Sequence, residues 1–216
     1  MSEKAGFGGN NGFRGMLKLG LILALYAAFA CVGLAFVYAG TIKIITQRQQ
    51  DDQAAALKEL FPDADDFRSI SDIKSPDPLV EIGDDDPDNT GVFAAMKNGG
   101  TIGLALRTSR AGYGGPVKVF VGVGADGKIN GVKILEHTET PGLGANAASN
   151  TYYVDRSRGI RFYDQFAGKS VGDAFEPKQD VIAITAATIT SRAVAASVKA
   201  AAEAASAWFA AQGGSR

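Results

Sequence analysis

The feature that most constrains this chain is a run of 24 residues without a charged side chain, from Leu19 to Ile42. A helix needs about 20 apolar residues to cross the hydrocarbon core of a bilayer, whereas the apolar part of a cleaved signal peptide is shorter. The sequence therefore predicts an uncleaved transmembrane helix over residues 16–43. Residues 1–15 are rich in Gly and Asn and contain little that can pack, which predicts a disordered tail.

The charges on either side of this run indicate its orientation. Lys4, Arg14 and Lys18 precede the run, whereas Lys43 and Arg48 follow it. Cytoplasmic flanks of membrane helices carry an excess of Lys and Arg, so this balance favours a cytoplasmic N-terminus. We therefore expect a single-pass protein of the inner membrane, in contact with membrane lipid, whose main domain lies in the periplasm.

The residues after the span divide into a helical segment and one domain. Residues 44–62 keep a helical composition as far as Pro62, which cannot continue a helix, and we predict a stalk helix here. Residues 63–216 remain for a single domain of ordinary size. Four valines at alternate positions within it have the period of a half-buried strand. They are Val117, Val119, Val121 and Val123.

The rest of the domain predicts an α+β fold. Asp126-Gly127 is a hairpin signal, and residues 129–135 have the composition of the returning strand. Residues 192–212 are rich in Ala, the strongest helix former. We predict that this C-terminal helix packs on a mainly antiparallel sheet.

The composition excludes several classes of function. The formal net charge is −1, so no strongly basic face is available for nucleic acid. The single Cys and single His, Cys31 and His137, cannot form an intrachain disulfide or the usual four-ligand Cys/His metal site. His137 is also accompanied by no Gly-x-Ser-x-Gly elbow, which argues against a hydrolase.

A hydroxyl-rich stretch from Asp180 to Ser191 precedes the C-terminal helix. Its apolar first half resembles a buried strand end, and the hydroxyls then stand where a helix begins. The first N–H groups of a helix and its dipole attract anions, and small side chains allow a phosphate to approach the backbone. The stretch is therefore compatible with an anion site or with a helix cap that binds no ligand.

Two glycine-rich loops are the other distinctive segments. The first is Gly112-Tyr113-Gly114-Gly115-Pro116, and the second is Glu139-Thr140-Pro141-Gly142-Leu143-Gly144. In the second loop, Pro141 and the glycines predict a tight turn directly after a strand, with a carboxylate and a hydroxyl at its rim. Neither the Walker lysine nor the full dinucleotide fingerprint is present, so each loop is compatible with a plain turn or with part of a ligand site.

Together, these three stretches resemble the motifs of membrane-tethered FMN-binding subunits. In that family the flavinylation motif reads Asp, two residues, Ser or Thr, Gly, Ala, Thr, and the last Thr carries FMN through a phosphoester. Thr185-Ala186-Ala187-Thr188 is similar to its second half, and the two glycine-rich loops resemble two further family motifs. The resemblance is best to the G subunit of the Rnf-type electron-transport complex. The C subunit of the sodium-pumping NADH:quinone reductase is related.

The resemblance implies that FMN is held covalently on Thr188. Two positions depart from the motif, since Ile182 stands where Asp is expected and Ala186 stands where Gly is expected. The resemblance also implies that backbone and hydroxyl groups near Thr188 satisfy the phosphate, and that the loops border the isoalloxazine ring. The residues so implied are Thr185, Ala187, Thr190 and Ser191 for the phosphate, and Tyr113, Glu139, Thr140, Gly142, Leu143 and Gly144 for the ring.

The same resemblance implies an electron carrier within a larger assembly. Its partners would be the other redox subunits of a complex that couples ferredoxin and NAD to the movement of Na⁺ or H⁺, and a flavin-attaching enzyme would act during maturation. The sequence contains no nicotinamide fingerprint and no iron–sulfur ligand set, so the chain is expected to be a redox subunit rather than a complete enzyme. The alternative is a flavin-free, membrane-anchored structural or binding module, which the departures at Ile182 and Ala186 favour.

Overall fold

The computed structural model describes residues 11–71, 73–83 and 91–213, and the chain divides into two units, Met1–Asp52 and Gln53–Arg216. Two helices and eight strands make up the described regular structure, together with two short 3-10 helices, Gly144–Ala148 and Asp164–Phe166. In chain order the helices and strands are α1 (Asn11–Leu60), β1 (Asp66–Ser69), β2 (Glu81–Ile82), β3 (Val92–Lys97), β4 (Gly100–Ala111), β5 (Pro116–Gly124), β6 (Ile129–Glu136), β7 (Tyr153–Asp155), β8 (Ile160–Arg161) and α2 (Thr188–Gly213).

Helix α1 contains both the predicted span and the predicted stalk in one helix of 50 residues. It is the one described helix that is long and apolar enough to cross a membrane, with a mean hydropathy of 2.4 in its most apolar window. Large apolar side chains are exposed along it, as at Leu25 and Phe29, and such a surface requires an apolar solvent. The Thr41 hydroxyl donates to the Val37 carbonyl at 2.7 Å, so this polar group is satisfied within the helix.

The start of α1 corrects part of the prediction for the N-terminus. We predicted a disordered tail over residues 1–15, but the helix begins at Asn11, and the prediction is therefore wrong for residues 11–15. Extending an existing helix costs far less than nucleating one, so the apolar helix continues into this polar segment. Residues 1–10 lie outside the described residues.

The last turns of α1 belong to the second unit rather than to a free stalk. Ala56, Leu57 and Leu60 are buried and pack in one cluster with Phe61 and Phe120. The helix ends at Leu60 because Phe61 precedes Pro62, and the residue before a proline is driven out of the helical conformation. The compact unit therefore begins at Gln53, ten residues before the predicted boundary at residue 63.

The main sheet is antiparallel in every described pairing, with the order β1-β3-β4-β5-β6 and with β2 paired to β4. Strands β7 and β8 form a separate two-stranded sheet. With α2 packed on the main sheet, these pairings confirm the predicted α+β class and the mainly antiparallel sheet.

Strand β5 is buried on both faces, which corrects the prediction of a half-buried strand. Its valines lie in the cluster that contains Val194 and Val198 of α2, whereas Phe120 points into the cluster formed by the end of α1. The alternation was read correctly, but the last turns of α1 cover the face that we expected to meet water. Full burial of a side chain such as Val194 contributes about 1.5–3 kcal/mol.

Candidate functional site

A cavity of about 420 Å³ lies where three loops of the domain meet. Small-molecule sites commonly have volumes of about 300–1,000 Å³. Its walls come from the β4–β5 loop, from the loop after β6, and from the turn that opens α2. The lining residues are Tyr113, Glu139, Thr140, Leu143, Gly144, Ala186, Ala187, Thr188, Ile189 and Thr190. The three stretches that the sequence singled out therefore form one site.

Glu139 connects all three walls. Its Oε1 accepts hydrogen bonds from the backbone N–H groups of Tyr113 at 2.8 Å and Gly114 at 3.1 Å. Its Oε2 accepts a hydrogen bond from the Thr190 hydroxyl at 2.6 Å. The residue is only 6% exposed, so these bonds replace water around a buried carboxylate. Glu139 was predicted at the rim of the loop, but the structure places its carboxylate inside the wall.

The glycines of the two loops leave space for this carboxylate. A Cβ atom on Gly112 would collide with Glu139 Oε1, and one on Gly144 would collide with Glu139 Oε2. The same Cβ on Gly144 would lie 2.6 Å from the Thr190 hydroxyl oxygen. Glycine at these two positions therefore leaves room for the carboxylate, which a Cβ atom would displace from its present position.

Gly142 has a different reason to be glycine. It has φ = 78°, and the Leu143 N–H donates to the Thr140 carbonyl at 3.1 Å. With Pro141 in the second position, this is the pattern of a type II turn, which needs positive φ in its third position. Gly142 does not line the described cavity, and its Cβ position is open. Its positive φ sets the direction in which the chain continues from the turn to Leu143.

The turn before α2 is held by Ser191, whose side chain is fully buried. The Ser191 hydroxyl donates to the Ala187 carbonyl at 2.9 Å and accepts the Ile184 N–H at 2.9 Å. The first backbone bond of the helix runs from Ser191 N–H to the Ala187 carbonyl. The N–H groups of residues 188–190 precede it and have no acceptor within the helix. They stand at the positive end of the helix dipole, beside the cavity.

Ala186 is the most strained residue of this turn. Its φ is +60°, in the left-handed region that costs an alanine about 1–2 kcal/mol relative to the right-handed one. This is the position at which the resembled motif has Gly. The sequence alone identified the substitution at Ala186, and the structure supplies its physical consequence.

Exposed apolar side chains surround the mouth of the cavity. Tyr113 is 74% exposed, Ile189 is 52% exposed and Leu143 is 42% exposed. Large apolar groups in the second unit are otherwise mostly buried, and their exposure around one cavity marks a candidate binding surface. Thr188, whose side chain is also exposed, lies between this rim and the helix end.

The structure brings together most of the predicted site residues. Those that line the cavity are Tyr113, Glu139, Thr140, Leu143, Gly144, Ala187, Thr188 and Thr190. Among described residues, Thr185, Gly142 and Ser191 were predicted for the site but do not line it. Ala186 and Ile189 line it without having been predicted. The sequence could have identified them from their positions close to Thr188, one in the preceding turn and one in the first turn of the helix.

The segment leading to the turn is held by two further side chains. Asp180 accepts hydrogen bonds from the Glu176 N–H at 2.8 Å, the Phe175 N–H at 3.1 Å and the Lys169 ammonium at 3.1 Å. Burial opposes ionisation of Asp180, but these hydrogen bonds outweigh it and hold its pKa below the ordinary value. Gln165 accepts the Ile182 N–H at 2.7 Å and donates to the Ile182 carbonyl at 3.1 Å.

Two protein families match separate parts of the chain. Residues 112–203 match the FMN-binding domain, and residues 10–60 match the RnfG N-terminal region. The first match includes every residue that lines the cavity. The second covers the whole of α1.

Curated relatives match most of the chain. It is 35% identical over 196 residues to the G subunit of the Na⁺-translocating ferredoxin:NAD⁺ oxidoreductase complex of Acetobacterium woodii, covering 85% of this chain and 88% of the relative. It is 33% identical to the G subunit of the proton-translocating ferredoxin:NAD⁺ oxidoreductase complex of Clostridium ljungdahlii, covering 79% of this chain and 80% of the relative. The G subunit of the ion-translocating oxidoreductase complex of Aliivibrio fischeri is 32% identical, with coverage of 85% and 87%.

A crystal structure of NqrC from Shewanella oneidensis shows a weaker likeness, with a TM-score of 0.38, 17% identity, and coverage of 64% of this chain and 65% of that one. The curated relatives are more informative because their identity is higher and extends over most of both chains. Together with the matches at both ends of the chain, they show that the protein belongs to the G-subunit family of the ion-translocating Rnf-type oxidoreductase complexes and contains an FMN-binding domain.

Proposed function

We propose that this chain is a membrane-anchored electron-carrier subunit of an ion-translocating ferredoxin:NAD⁺ oxidoreductase complex, and that it holds FMN covalently on Thr188. The observation that carries the proposal is the meeting of three motif segments around one cavity, with an exposed Thr188 hydroxyl at the N-terminus of α2. The names of the curated relatives support the assignment to such a complex.

The phosphate end of FMN fits the helix-end side of the cavity. The N–H groups of residues 188–190 are oriented for an anion, and the dipole of a 26-residue helix adds to their attraction. Ala186 and Ala187 present only methyl groups beside Thr188, so a phosphate can approach the backbone. Thr190 offers little further capacity, because its hydroxyl already donates to Glu139.

The ring end of FMN fits the exposed apolar rim of the cavity. Tyr113, Leu143 and Ile189 present exposed apolar surface of the kind that a flat aromatic ring covers. When bound, FMN supplies the one- and two-electron chemistry, and the protein supplies its position and its surroundings. The residues of this chain hold the phosphate, orient the ring and exclude part of the solvent from it.

Attachment is the transfer of a flavin phosphoryl group to the Thr188 hydroxyl. A bond forms between Thr188 Oγ1 and phosphorus, and the hydroxyl proton passes to a base. The phosphoanhydride bond of an activated flavin dinucleotide breaks, and a nucleoside monophosphate leaves. No electron is transferred in this step. The dinucleotide and the base are supplied with the flavin-attaching enzyme, which must reach Thr188 from solvent, as its exposure permits.

The orientation in the membrane is also proposed. Lys4, Arg14 and Lys18 before the apolar run favour a cytoplasmic N-terminus, which places the domain in the periplasm. Its partners there would be other redox subunits of the complex, with lipid around α1. A covalent bond to the cofactor prevents loss of a small carrier in that open compartment.

The test is in-gel flavin fluorescence after denaturing electrophoresis of the full chain, expressed with a flavin-attaching enzyme. We expect a fluorescent band for the native chain and for Thr151→Val, which changes an exposed threonine outside both the motif and the cavity. Thr188→Val keeps the shape of the side chain but lacks the hydroxyl, so its band should be absent. A native chain without fluorescence would favour the flavin-free binding module, for which the strained Ala186 and the Ile182 substitution argue.

A further inference from the structure

We infer that Glu139 is a positioning residue of the flavin site, which fixes the Tyr113 loop against the first turn of α2. The expected effect of Glu139 on flavin loading rests on the proposed function. Its role in holding the two segments together applies equally to the protein without flavin. This role, a support inside the wall, replaces the predicted role of a cofactor ligand at the rim.

The carboxylate is enclosed by protein donors and backbone. Oε1 accepts two backbone N–H groups, Oε2 accepts the Thr190 hydroxyl, and the residue is 6% exposed. The backbone at Gly112 lies against Oε1 and the backbone at Gly144 lies against Oε2, so closely that a Cβ atom at either position would displace the carboxylate. Glu139 lines the cavity, but both of its carboxylate oxygens already accept hydrogen bonds from protein donors.

The bonded segments belong to two different walls of the cavity. Tyr113 belongs to the exposed apolar rim, whereas Thr190 lies with Thr188 in the first turn of α2. Glu139 joins these two segments, because Oε1 binds the Tyr113 loop and Oε2 binds the first turn of α2. A ligand that touches both segments needs them in a fixed relative position, and this one side chain supplies it.

The direct test measures amide hydrogen exchange in the flavin-free full chain in detergent. Glu139→Ala removes the acceptor of Tyr113 and Gly114, and we expect their exchange to accelerate by about tenfold to hundredfold. Glu139→Gln keeps an oxygen acceptor for both N–H groups, and its amide can donate to the Thr190 hydroxyl, so protection should persist. Glu136→Gln is the matched control, since it removes a neighbouring carboxylate that is exposed and paired with Lys118.

The second readout is covalent flavin loading of the same variants, measured by fluorescence. We expect reduced loading of Glu139→Ala, and near-native loading of Glu139→Gln and Glu136→Gln, although all three retain Thr188. A native chain that never loads flavin defeats the proposed function but leaves the exchange test valid. Unchanged exchange at Tyr113 and Gly114 in Glu139→Ala overturns the positioning role.

Two further outcomes are equally decisive. If Glu139→Gln keeps its amide protection yet loads as poorly as Glu139→Ala, the charge itself acts on the cofactor and the inference is wrong. If Glu139→Ala does not fold, Thr190→Val replaces it, because this change removes only the bond to Oε2. It should reduce loading and leave exchange at Tyr113 and Gly114 protected, and native loading of Thr190→Val would contradict the inference.

Discussion

Two carboxylates, Glu139 and Asp180, accept hydrogen bonds from the same kinds of donor but stabilise different parts of the structure. Each accepts two backbone N–H groups and one side-chain donor. The donors of Glu139 lie 26, 25 and 51 residues away in sequence, whereas those of Asp180 lie 5, 4 and 11 residues away. Glu139 therefore assembles distant segments into a cavity, and Asp180 fastens a loop to itself.

The two carboxylates also differ in their exposure to water and in the charge of their partners. The Asp180 side chain is 25% exposed and pairs with Lys169, so water and a cation remain near it. Glu139 is buried, and the three donors named above are uncharged. If a buried carboxylate loses its hydrogen-bond donors, no water is available to replace them. The same holds for the donors if the carboxylate is removed. Burial and sequence separation, not the number of hydrogen bonds, therefore decide what a carboxylate stabilises.

The largest effect should come from truncating each carboxylate in turn. Glu139→Ala leaves two buried N–H groups and a hydroxyl without an acceptor, and we expect the free energy of unfolding to fall by about 3 kcal/mol. Asp180→Ala exposes its donors to water, so a loss of about 1–2 kcal/mol is expected. Urea unfolding followed by circular dichroism measures both. Equal losses would remove the distinction between the two sites.

A pH series sharpens the description of Asp180. Its folded pKa is below the unfolded value of about 3.8, so its contribution is fully present above that value and is lost as pH falls through the folded pKa. The difference in unfolding free energy between the native chain and Asp180→Asn should be constant near neutral pH and shrink below about pH 4. A difference that persists to about pH 2 would contradict this assignment.

A substitution in the turn before α2 should have a smaller effect on stability, and of opposite sign. Ala186 has φ = +60°, and glycine adopts this conformation without steric cost. Ala186→Gly should therefore stabilise the protein by about 0.5–1 kcal/mol, after the entropy of a more flexible unfolded chain is subtracted. Ala187→Gly is the matched control in the next residue, where no positive φ occurs, and it should destabilise. A loss of stability in Ala186→Gly would show that the methyl group packs favourably.

The smallest effect concerns a buried polar group without a partner. Among the described residues, the Ser197 hydroxyl is buried and forms no hydrogen bond, whereas the Ser191 hydroxyl of the same helix forms two. Ser197→Ala should change stability by about 0.5 kcal/mol or less, or increase it, whereas Ser191→Ala should cost about 1–2 kcal/mol. Thermal unfolding of the two variants decides. A large loss of stability in Ser197→Ala would mean that a buried hydroxyl stabilises the protein even without hydrogen bonds. That result would contradict the importance that we assign to the hydrogen bonds of Ser191.

Much of the fold could be predicted because its signals are local. The uncharged run in α1, the alternating valines of β5 and the alanines of α2 each have a period that one segment displays by itself. The burial of both faces of β5 could not be predicted, because it depends on the end of α1 covering the face with Phe120. The start of α1 at Asn11 was missed for a related reason, since helix propagation overrides the preference of the first few residues.

The sequence predicted which segments form the candidate site better than it predicted what each residue does there. The resemblance identified three segments, and the structure joins them around one cavity. The sequence could not show that Ser191 faces the turn and not the cavity, or that Glu139 lies in the wall, because both depend on bonds between distant segments. Nor could it show that Ala186 is strained, since φ is invisible in a sequence.

The most direct measurement of the central claim is tandem mass spectrometry of the flavin-loaded chain. Cleavage after Lys178 and Arg192 releases residues 179–192, a peptide that contains Thr185, Thr188 and Thr190. We predict a mass increase equal to FMN less one water, and fragment ions that assign it to Thr188. An increase on any other hydroxyl of this peptide, or an unmodified peptide from chain expressed with a flavin-attaching enzyme, would contradict it.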